Sequence, residues 1–185
     1  MGGEQTVSSL EALTGSGSLS YSSLDNVLTC GEKYRLIKIV GVKEQDAWYL
    51  LGGNAVHEAT EMLDKGEEED PIRAWDIAWT KRLQTVEDKS NVRAAGRVTR
   101  KNPNKEDQGW WEANGPLQVQ NYLEWRIARQ QAGWELLHTE VAFNVTLGDT
   151  PVRGYIDRVF VTETGEPIVV DLKTGGKTPA STVQL

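Results

Sequence analysis

The chain of 185 residues has little cysteine, no long apolar run and no excess of positive charge. Its one cysteine, Cys30, excludes an internal disulfide framework and a zinc site built from cysteines. No apolar run approaches the roughly 20 residues that cross a bilayer. The N-terminus also lacks a signal-peptide pattern, so we expect a cytoplasmic protein without a membrane partner. The net charge of −7 argues against binding nucleic acid through the whole surface, although a local basic track remains compatible with it.

The pattern of apolar residues predicts one domain that begins with helices and ends with strands. Residues 1–18 are rich in Gly, Ser and Thr and are predicted to be flexible, whereas residues 19–185 can form a domain with a sizeable core. Helical periods predict helices that begin near Ser20, Ala55, Pro71 and Pro116. From His138 onward, alternation and turn residues predict a meander of strands. This order indicates an α/β fold with a central mixed β-sheet flanked by helices.

The predicted strands carry charged residues in apolar surroundings. If Glu163-Thr164-Gly165 is a three-residue hairpin loop, Asp157 lies directly opposite Asp171. Lys173 projects from the same face as Asp171, because side chains two residues apart share a face of a strand. The preceding turn brings Glu140 to a position one diagonal step from Asp157. Four ionisable groups are therefore predicted to converge on one patch.

This patch has the chemistry of metal-dependent phosphodiester hydrolysis. Converging carboxylates repel each other unless a cation lies between them, and their hard oxygen atoms favour Mg²⁺ or Mn²⁺. The metal would activate a water molecule, which Lys173 would orient or deprotonate. We therefore predict that Lys173, Asp171, Asp157 and Glu140 are catalytic. The alternative is a surface hairpin with solvated charges, because Asp-x-Lys triplets are common. The apolar flank Ile168-Val169-Val170 argues against it by predicting burial.

Five motifs occur in a fixed order along the chain. They are Ser20-Tyr21-Ser22-Ser23-Leu24 with Cys30 and Tyr34 downstream, Gly53-Asn54-Ala55-Val56-His57, Glu140, Gly154-Tyr155-Ile156-Asp157-Arg158, and Asp171-Leu172-Lys173-Thr174. In this order and spacing the chain resembles the PD-(D/E)XK nuclease superfamily, specifically its RecB-like exonuclease branch, which includes AddB-type and CRISPR-associated nucleases. The resemblance covers residues 19–185 and implies a restriction-endonuclease-like core.

The resemblance implies roles for individual residues. His57, Asp157, Asp171 and the backbone carbonyl of Leu172 would bind the metal, with Lys173 as the catalytic lysine. Glu140 would support the site through a water or a second metal. Without the resemblance, a histidine placed like His57 would more often be a packing residue.

The resemblance also implies a DNA substrate, contacted by Thr174 and Gln184. It further implies exonucleolytic attack on ends or single strands with 5′-phosphate products. The corresponding role is in recombination, repair or phage DNA processing, with a protein partner in such a complex.

Two features depart from that family's pattern. The next family motif is a glutamine followed four residues later by a tyrosine, on a helix that contacts DNA. Thr182-Val183-Gln184-Leu185 matches its start, so the domain is expected to lack the rest of this helix. Some members of the branch hold an iron–sulfur cluster on four cysteines. Because one thiolate cannot hold a cluster, none is expected here, and Cys30 is predicted to be an ordinary buried cysteine.

One basic stretch is a candidate DNA contact. It includes Arg93, Arg97, Arg100 and Lys101 and could follow a phosphate backbone without reading sequence, although a solvated loop fits equally well. Trp110-Trp111 beside it is either a base-stacking surface or part of the core.

Two other functions stay open at this point. One is a catalytically incompetent module of the nuclease fold that binds DNA or assembles with proteins. The other is a metal-dependent hydrolase of small phosphoesters.

Overall fold

Helices precede strands in the computed structural model, which describes residues 17–94 and 106–174. The helices are α1 (Tyr21–Thr29), α2 (Gly31–Tyr34), which continues into a π-helical turn (Arg35–Ile39), α3 (Trp48–Lys65), α4 (Pro71–Gln84) and α5 (Gln108–Gln131). A 3₁₀ turn (Lys89–Asn91) follows α4. The strands are β1 (Glu135–Leu147), β2 (Thr150–Val161) and β3 (Pro167–Val170), in one sheet of order β1-β2-β3. Among the described residues, no helix is both long and apolar enough to cross a membrane.

The described chain divides into two compact units. One contains residues 17–44 and 140–156, and the other contains residues 45–94, 106–139 and 157–174. The second unit holds α3, α4, α5 and β3, together with the beginning of β1 and the end of β2. The predicted site residues His57, Asp157, Asp171 and Lys173 all belong to this second unit.

The core of the second unit lies between α3, α4 and α5. The rings of Trp75 and Trp79 stack with centroids 5.2 Å apart, and Trp48 lies 6.0 Å from Trp79. This cluster of buried residues contains Trp48, Leu51, Ala55, Val56, Ala59, Leu63, Ala74, Trp75, Ala78, Trp79, Val86, Val92, Trp111 and Val119. The apolar residues that recur at helical spacing from Val56 to Leu63 and from Trp75 to Leu83 therefore form the core-facing sides of α3 and α4.

Local sequence determines where α4 begins and α3 ends. The Asp70 side chain caps α4 by accepting the N–H of Ile72 at 2.8 Å, and Pro71 occupies the first helical position as predicted. At the other boundary, Gly66 ends α3 with φ +68°, a left-handed conformation that favours glycine.

The predicted start of α3 is wrong. The helix begins at Trp48, seven residues before the expected Ala55, and Gly52 and Gly53 lie inside it. Glycine is unfavourable within a helix, but here the contact with another helix requires it. A Cβ atom on Gly52 would overlap the indole ring of Trp111, which is 1% exposed. Close packing of α3 on α5 therefore outweighs the local signal for a break.

The predicted start of α5 is also wrong, because Pro116 lies inside this helix rather than at its first position. The helix begins at Gln108, where the Asp107 side chain caps it by accepting the N–H of Trp110 at 2.9 Å. The first turns are held by the buried Trp111. Trp111 is buried and cannot stack on a base, so the predicted stacking role of Trp110-Trp111 is wrong for Trp111.

The hairpin between β2 and β3 has the predicted register. The pairs run from Arg158 opposite Val170 to Val161 opposite Pro167, so the loop centres on Thr164. Gly165 adopts φ +82°, the left-handed conformation that a glycine supplies in a three-residue hairpin loop. Continuing the register by one residue places Asp157 opposite Asp171.

The α/β class is confirmed, but two details of the sheet differ from the prediction. The three described strands follow one another as antiparallel neighbours rather than as a mixed sheet. Parallel pairing occurs only as isolated bridges among the described residues, such as Leu19 with Val152. In addition, β3 is not buried on both faces, because Val169 is 52% exposed. Its apolar run reflects β propensity rather than a sandwiched strand.

In the first unit, the helix predicted from Ser20 is confirmed as α1, with the Ser20 hydroxyl accepting the N–H of Ser23 at 3.2 Å. Cys30 lies between α1 and α2 and is exposed, so its predicted burial is wrong. An extended backbone that separates two short helices leaves the thiol at the surface.

Candidate active site

Asp157 is fixed by the segment that follows β3. Its Oδ2 atom accepts the backbone N–H of Leu172 at 2.6 Å, and its side chain is 14% exposed. Leu172 stands between Asp171 and Lys173, so this one hydrogen bond places Asp157 beside both of them. The hairpin register predicted this juxtaposition, and the structure adds the backbone donor that orients the carboxylate.

Helix α3 brings His57 to the same place. The Nδ1 atom of His57 lies 3.8 Å from Oδ1 of Asp157, and the imidazole is 30% exposed. Two donor atoms that each lie about 2.1 Å from a common ion are separated by about 3.0–4.2 Å. The observed separation fits two ligands of one divalent cation. A carboxylate oxygen and an imidazole nitrogen together suit Mn²⁺ and also permit Mg²⁺.

Asp171 and Lys173 form a close ion pair. The Nζ atom of Lys173 lies 2.9 Å from Oδ1 and 2.7 Å from Oδ2 of Asp171, and the lysine side chain is 39% exposed. The amine is therefore held at the edge of the site by a carboxylate, with one side open to solvent. From this position it can donate to a phosphate oxygen or to a water molecule.

Helix α3 also approaches the residue after Lys173. A Cβ atom on Gly53 would lie 3.1 Å from Oγ1 of Thr174, closer than ordinary van der Waals contact. Gly53 and His57 are four residues apart and so share one side of the helix. The motif Gly53-Asn54-Ala55-Val56-His57 therefore serves two purposes: the glycine admits the Asp171–Thr174 segment, and the histidine reaches Asp157.

The remaining predicted site residues are Glu140, four basic residues and Gln184. Glu140 lies on β1 in the first unit and has φ +50°, an uncommon conformation for a residue other than glycine. Arg93 is exposed, with its guanidinium 5.8 Å from the ring centroid of Tyr49. Four further candidates, Arg97, Arg100, Lys101 and Gln184, lie outside the described residues. The roles of all these residues stay predictions.

Sequence reasoning missed a buried ionic network around Arg158. Its side chain is 0% exposed, and its Nε atom donates to Oδ2 of Asp64, which is also fully buried. Asp64 accepts two more hydrogen bonds, from the Tyr122 hydroxyl at 2.7 Å and from Nη1 of Arg126 at 3.0 Å. The network joins α3, α5 and β2 immediately behind Asp157.

Burial and charge in this network shift two pKa values. Burial raises the pKa of Tyr122 well above its ordinary value, and the negative charge of Asp64 raises it further. Burial alone would lower the pKa of Arg158, but Tyr122 and Asp64 outweigh it and raise the pKa. Arg158 is therefore a permanent buried cation.

A sequence signal for this network existed. Arg158 follows Asp157 on a strand, so its side chain points to the opposite face, away from the predicted acidic patch and toward the helices. The α3 positions Thr60 and Asp64 are one turn apart on the core-facing side, where an acidic residue needs a partner. What the sequence did not show was which of its many cations would be that partner.

Comparison with known proteins agrees with this geometry. Residues 18–185 match the PD-(D/E)XK nuclease superfamily, so the chain belongs to that superfamily. Its fold is accordingly of the α/β restriction-endonuclease-like type. The superfamily implies a nuclease that uses divalent metal ions, and the pair His57 and Asp157 offers ligand atoms for one.

Two curated relatives come from mycobacterial phages. The chain is 29% identical to the gene 69 protein of Mycobacterium phage D29 and 26% identical to the gene 69 protein of Mycobacterium phage L5. Each match covers 90% of this chain, but only 65% of the first relative and 67% of the second. The chain thus spans about two thirds of the length of the curated relatives it matches. No solved structure gave a significant match.

Proposed function

We propose that this protein is a RecB-like nuclease that hydrolyses phosphodiester bonds of DNA with Mn²⁺ or Mg²⁺, acting as an exonuclease on ends or single strands. The observation that carries the proposal is the position of Asp157. This carboxylate accepts the N–H of Leu172, between Asp171 and Lys173, and lies 3.8 Å from the imidazole of His57. The proposed metal ligands and a lysine therefore adjoin in one unit of a chain that belongs to a nuclease superfamily.

Each residue has a defined part in the proposed reaction. His57, Asp157, Asp171 and the carbonyl of Leu172 would hold the metal, which when bound polarises a phosphoryl oxygen and lowers the pKa of a water. Lys173 would donate to the phosphate and orient the water, because its amine is anchored by Asp171 and open on its other side. Thr174, which packs close to Gly53, would contact the DNA beyond the cleaved bond.

The wider role follows from the substrate. DNA processing, recombination or repair is the proposed setting, in the cytoplasm and with a protein partner in the processing complex. Because both of these relatives are phage gene products, phage DNA processing is included in the proposed setting. Glu140 would support the site, and Arg93, Arg97, Arg100, Lys101 and Gln184 would contact the DNA.

One observation favours the alternative of a catalytically incompetent module. Lys173 lies within hydrogen-bonding distance of both carboxylate oxygens of Asp171, and this pairing competes with a role for either group at a metal and its water. The alternative predicts that the protein binds DNA and metal without turnover.

The deciding experiment is degradation of linear and circular DNA, single- and double-stranded, with Mn²⁺, Mg²⁺ or EDTA. Loss of linear DNA that requires metal and disappears in Lys173→Ala would support an exonuclease. The matched control is Lys38→Ala, which removes an exposed lysine in the other unit and should leave activity unchanged.

Three other outcomes would redirect the proposal. Cleavage of circles would make the enzyme an endonuclease. If bis(p-nitrophenyl) phosphate is hydrolysed at least as fast as DNA, the protein is a small-phosphoester hydrolase. Binding of DNA and Mn²⁺ without cleavage under any condition would support the incompetent module.

A further inference from the structure

The two proposed metal ligands lie on different elements, and two side chains connect their backbones. The Thr60 hydroxyl donates to the carbonyl oxygen of His57 at 2.9 Å and accepts from Nη2 of Arg158 at 3.0 Å. The Nη1 atom of the same guanidinium donates to the carbonyl oxygen of Asp157 at 2.8 Å. A continuous path of three hydrogen bonds therefore runs from His57 through Thr60 and Arg158 to Asp157.

We propose that Arg158 and Thr60 are positioning residues, which set the separation of His57 and Asp157 for metal binding. The inference rests on the proposed function of those two ligands. A helix and a strand can slide past each other by small amounts, and a metal site tolerates little variation in ligand distance. Bonds to the carbonyls of both ligands restrict that sliding at the site itself.

The guanidinium can perform this task because it is held rigidly in its own place. It is fully buried and lies with its central carbon 5.6 Å from the ring centroid of Tyr122. Its Nε atom is occupied by Asp64 and by the Tyr122 hydroxyl, the latter at 3.2 Å. Its two Nη atoms are directed at Asp157 and Thr60. A planar fork with fixed donor directions is a property of arginine that lysine lacks.

The network also stabilises the fold, so the two contributions must be separated. The ion pair with Asp64 uses Nε, whereas the link to the ligands uses the Nη atoms and Thr60. Thr60 is 0% exposed and lies within the core-facing side of α3. Changing its hydroxyl to a methyl group leaves the ion pair in place and removes the connection to His57. A purely structural network predicts that metal affinity is then unchanged in the folded protein.

The test compares Thr60→Val with Thr60→Ser. Valine keeps the shape and loses the hydroxyl, whereas serine keeps the hydroxyl. Binding of Mn²⁺ alone is measured by electron paramagnetic resonance, with circular dichroism confirming the folded state. We expect Thr60→Val to weaken Mn²⁺ binding by about tenfold or more, as changes behind metal ligands do, and Thr60→Ser to restore it. Wild-type affinity in a folded Thr60→Val protein would overturn the inference.

Two further measurements keep the result interpretable. If Thr60→Val does not fold, Arg158→Lys replaces it in the test. Lysine can keep the charge opposite Asp64 but cannot reach both the Asp157 carbonyl and the Thr60 hydroxyl. Unchanged Mn²⁺ binding by Arg158→Lys would also overturn the inference. His57→Ala and Asp157→Ala test the proposed ligands themselves. If neither lowers Mn²⁺ affinity, the proposed metal site fails; if both do and Thr60→Val does not, only the positioning role fails.

Discussion

Replacing Asp64 by alanine should be among the most destabilising single changes in this protein. The carboxylate accepts hydrogen bonds from Tyr122 and Arg126 and pairs with Arg158, and the Asp64 and Arg158 side chains are both 0% exposed. Its removal leaves a buried guanidinium that cannot lose its charge, because the pKa of Arg158 is raised. Breaking a buried ion pair from one side costs about 3–5 kcal/mol.

The cost is measurable by urea unfolding followed by tryptophan fluorescence. With an m-value of about 2 kcal/mol/M, the midpoint should fall by about 1.5–2.5 M. The matched control is Glu58→Ala on the same helix, which removes a carboxylate that is 18% exposed and pairs with Lys81 and Arg82. Its partners are 64% and 30% exposed, so solvent can compensate for the lost pair, and the control should cost about 1 kcal/mol, or about 0.5 M. Equal shifts for the two variants would refute the assignment of Asp64 to a buried ionic network.

Other predictions test the packing and the titration of the same unit. Gly52→Ala should lower the free energy of unfolding by about 2 kcal/mol or more, since overlap with the rigid ring of Trp111 outweighs the gain in helix propensity. Gly53→Ala should change the free energy of unfolding by less than about 1 kcal/mol in the same urea assay, because the side chain of Thr174 can move aside. Equal effects of Gly52→Ala and Gly53→Ala would contradict this description of the packing. Tyr122, whose pKa burial and Asp64 raise, should stay protonated in the folded state above about pH 10, where an unfolded tyrosine ionises. The free energy of unfolding should therefore decline as pH rises above about 10. Because Tyr122 stays protonated in the folded protein, wild type and Tyr122→Phe should show the same phenolate absorbance until they unfold. An additional phenolate in the folded wild type would contradict this prediction.

The parts that the sequence predicted well depend on nearby residues. The β2–β3 register follows from a loop of three residues with a glycine in the left-handed position, and nothing distant can shift it. The start of α4 at Pro71 follows from an adjacent aspartate cap. Because Asp157, Asp171 and Lys173 all lie on or just after this hairpin, their neighbourhood could be predicted at the same time.

The parts that the sequence missed depend on distant partners. Gly52 signals a helix break locally, but a tryptophan more than fifty positions later needs the space that a side chain would occupy. Pro116 signals a helix start, yet the cap at Asp107 begins the helix earlier. Likewise Arg158 sits next to Asp157 in the motif, but Asp64 and Thr60, which decide its role, lie about a hundred positions away. Such pairings arise only when the three helices and the hairpin have packed.

Arg158 connects the stability of this unit with its proposed metal site. Its Nε atom closes a buried ion pair that joins helix to strand, and its Nη atoms hold the carbonyls behind two proposed metal ligands, one of them through Thr60. Replacement of the arginine therefore disturbs both, and loss of activity in such a variant would not by itself identify a positioning role. Thr60 separates them, because its hydroxyl belongs to the path between the ligands and not to the ion pair. A buried threonine whose loss weakens Mn²⁺ binding without unfolding the protein would show that the network behind the site sets its geometry.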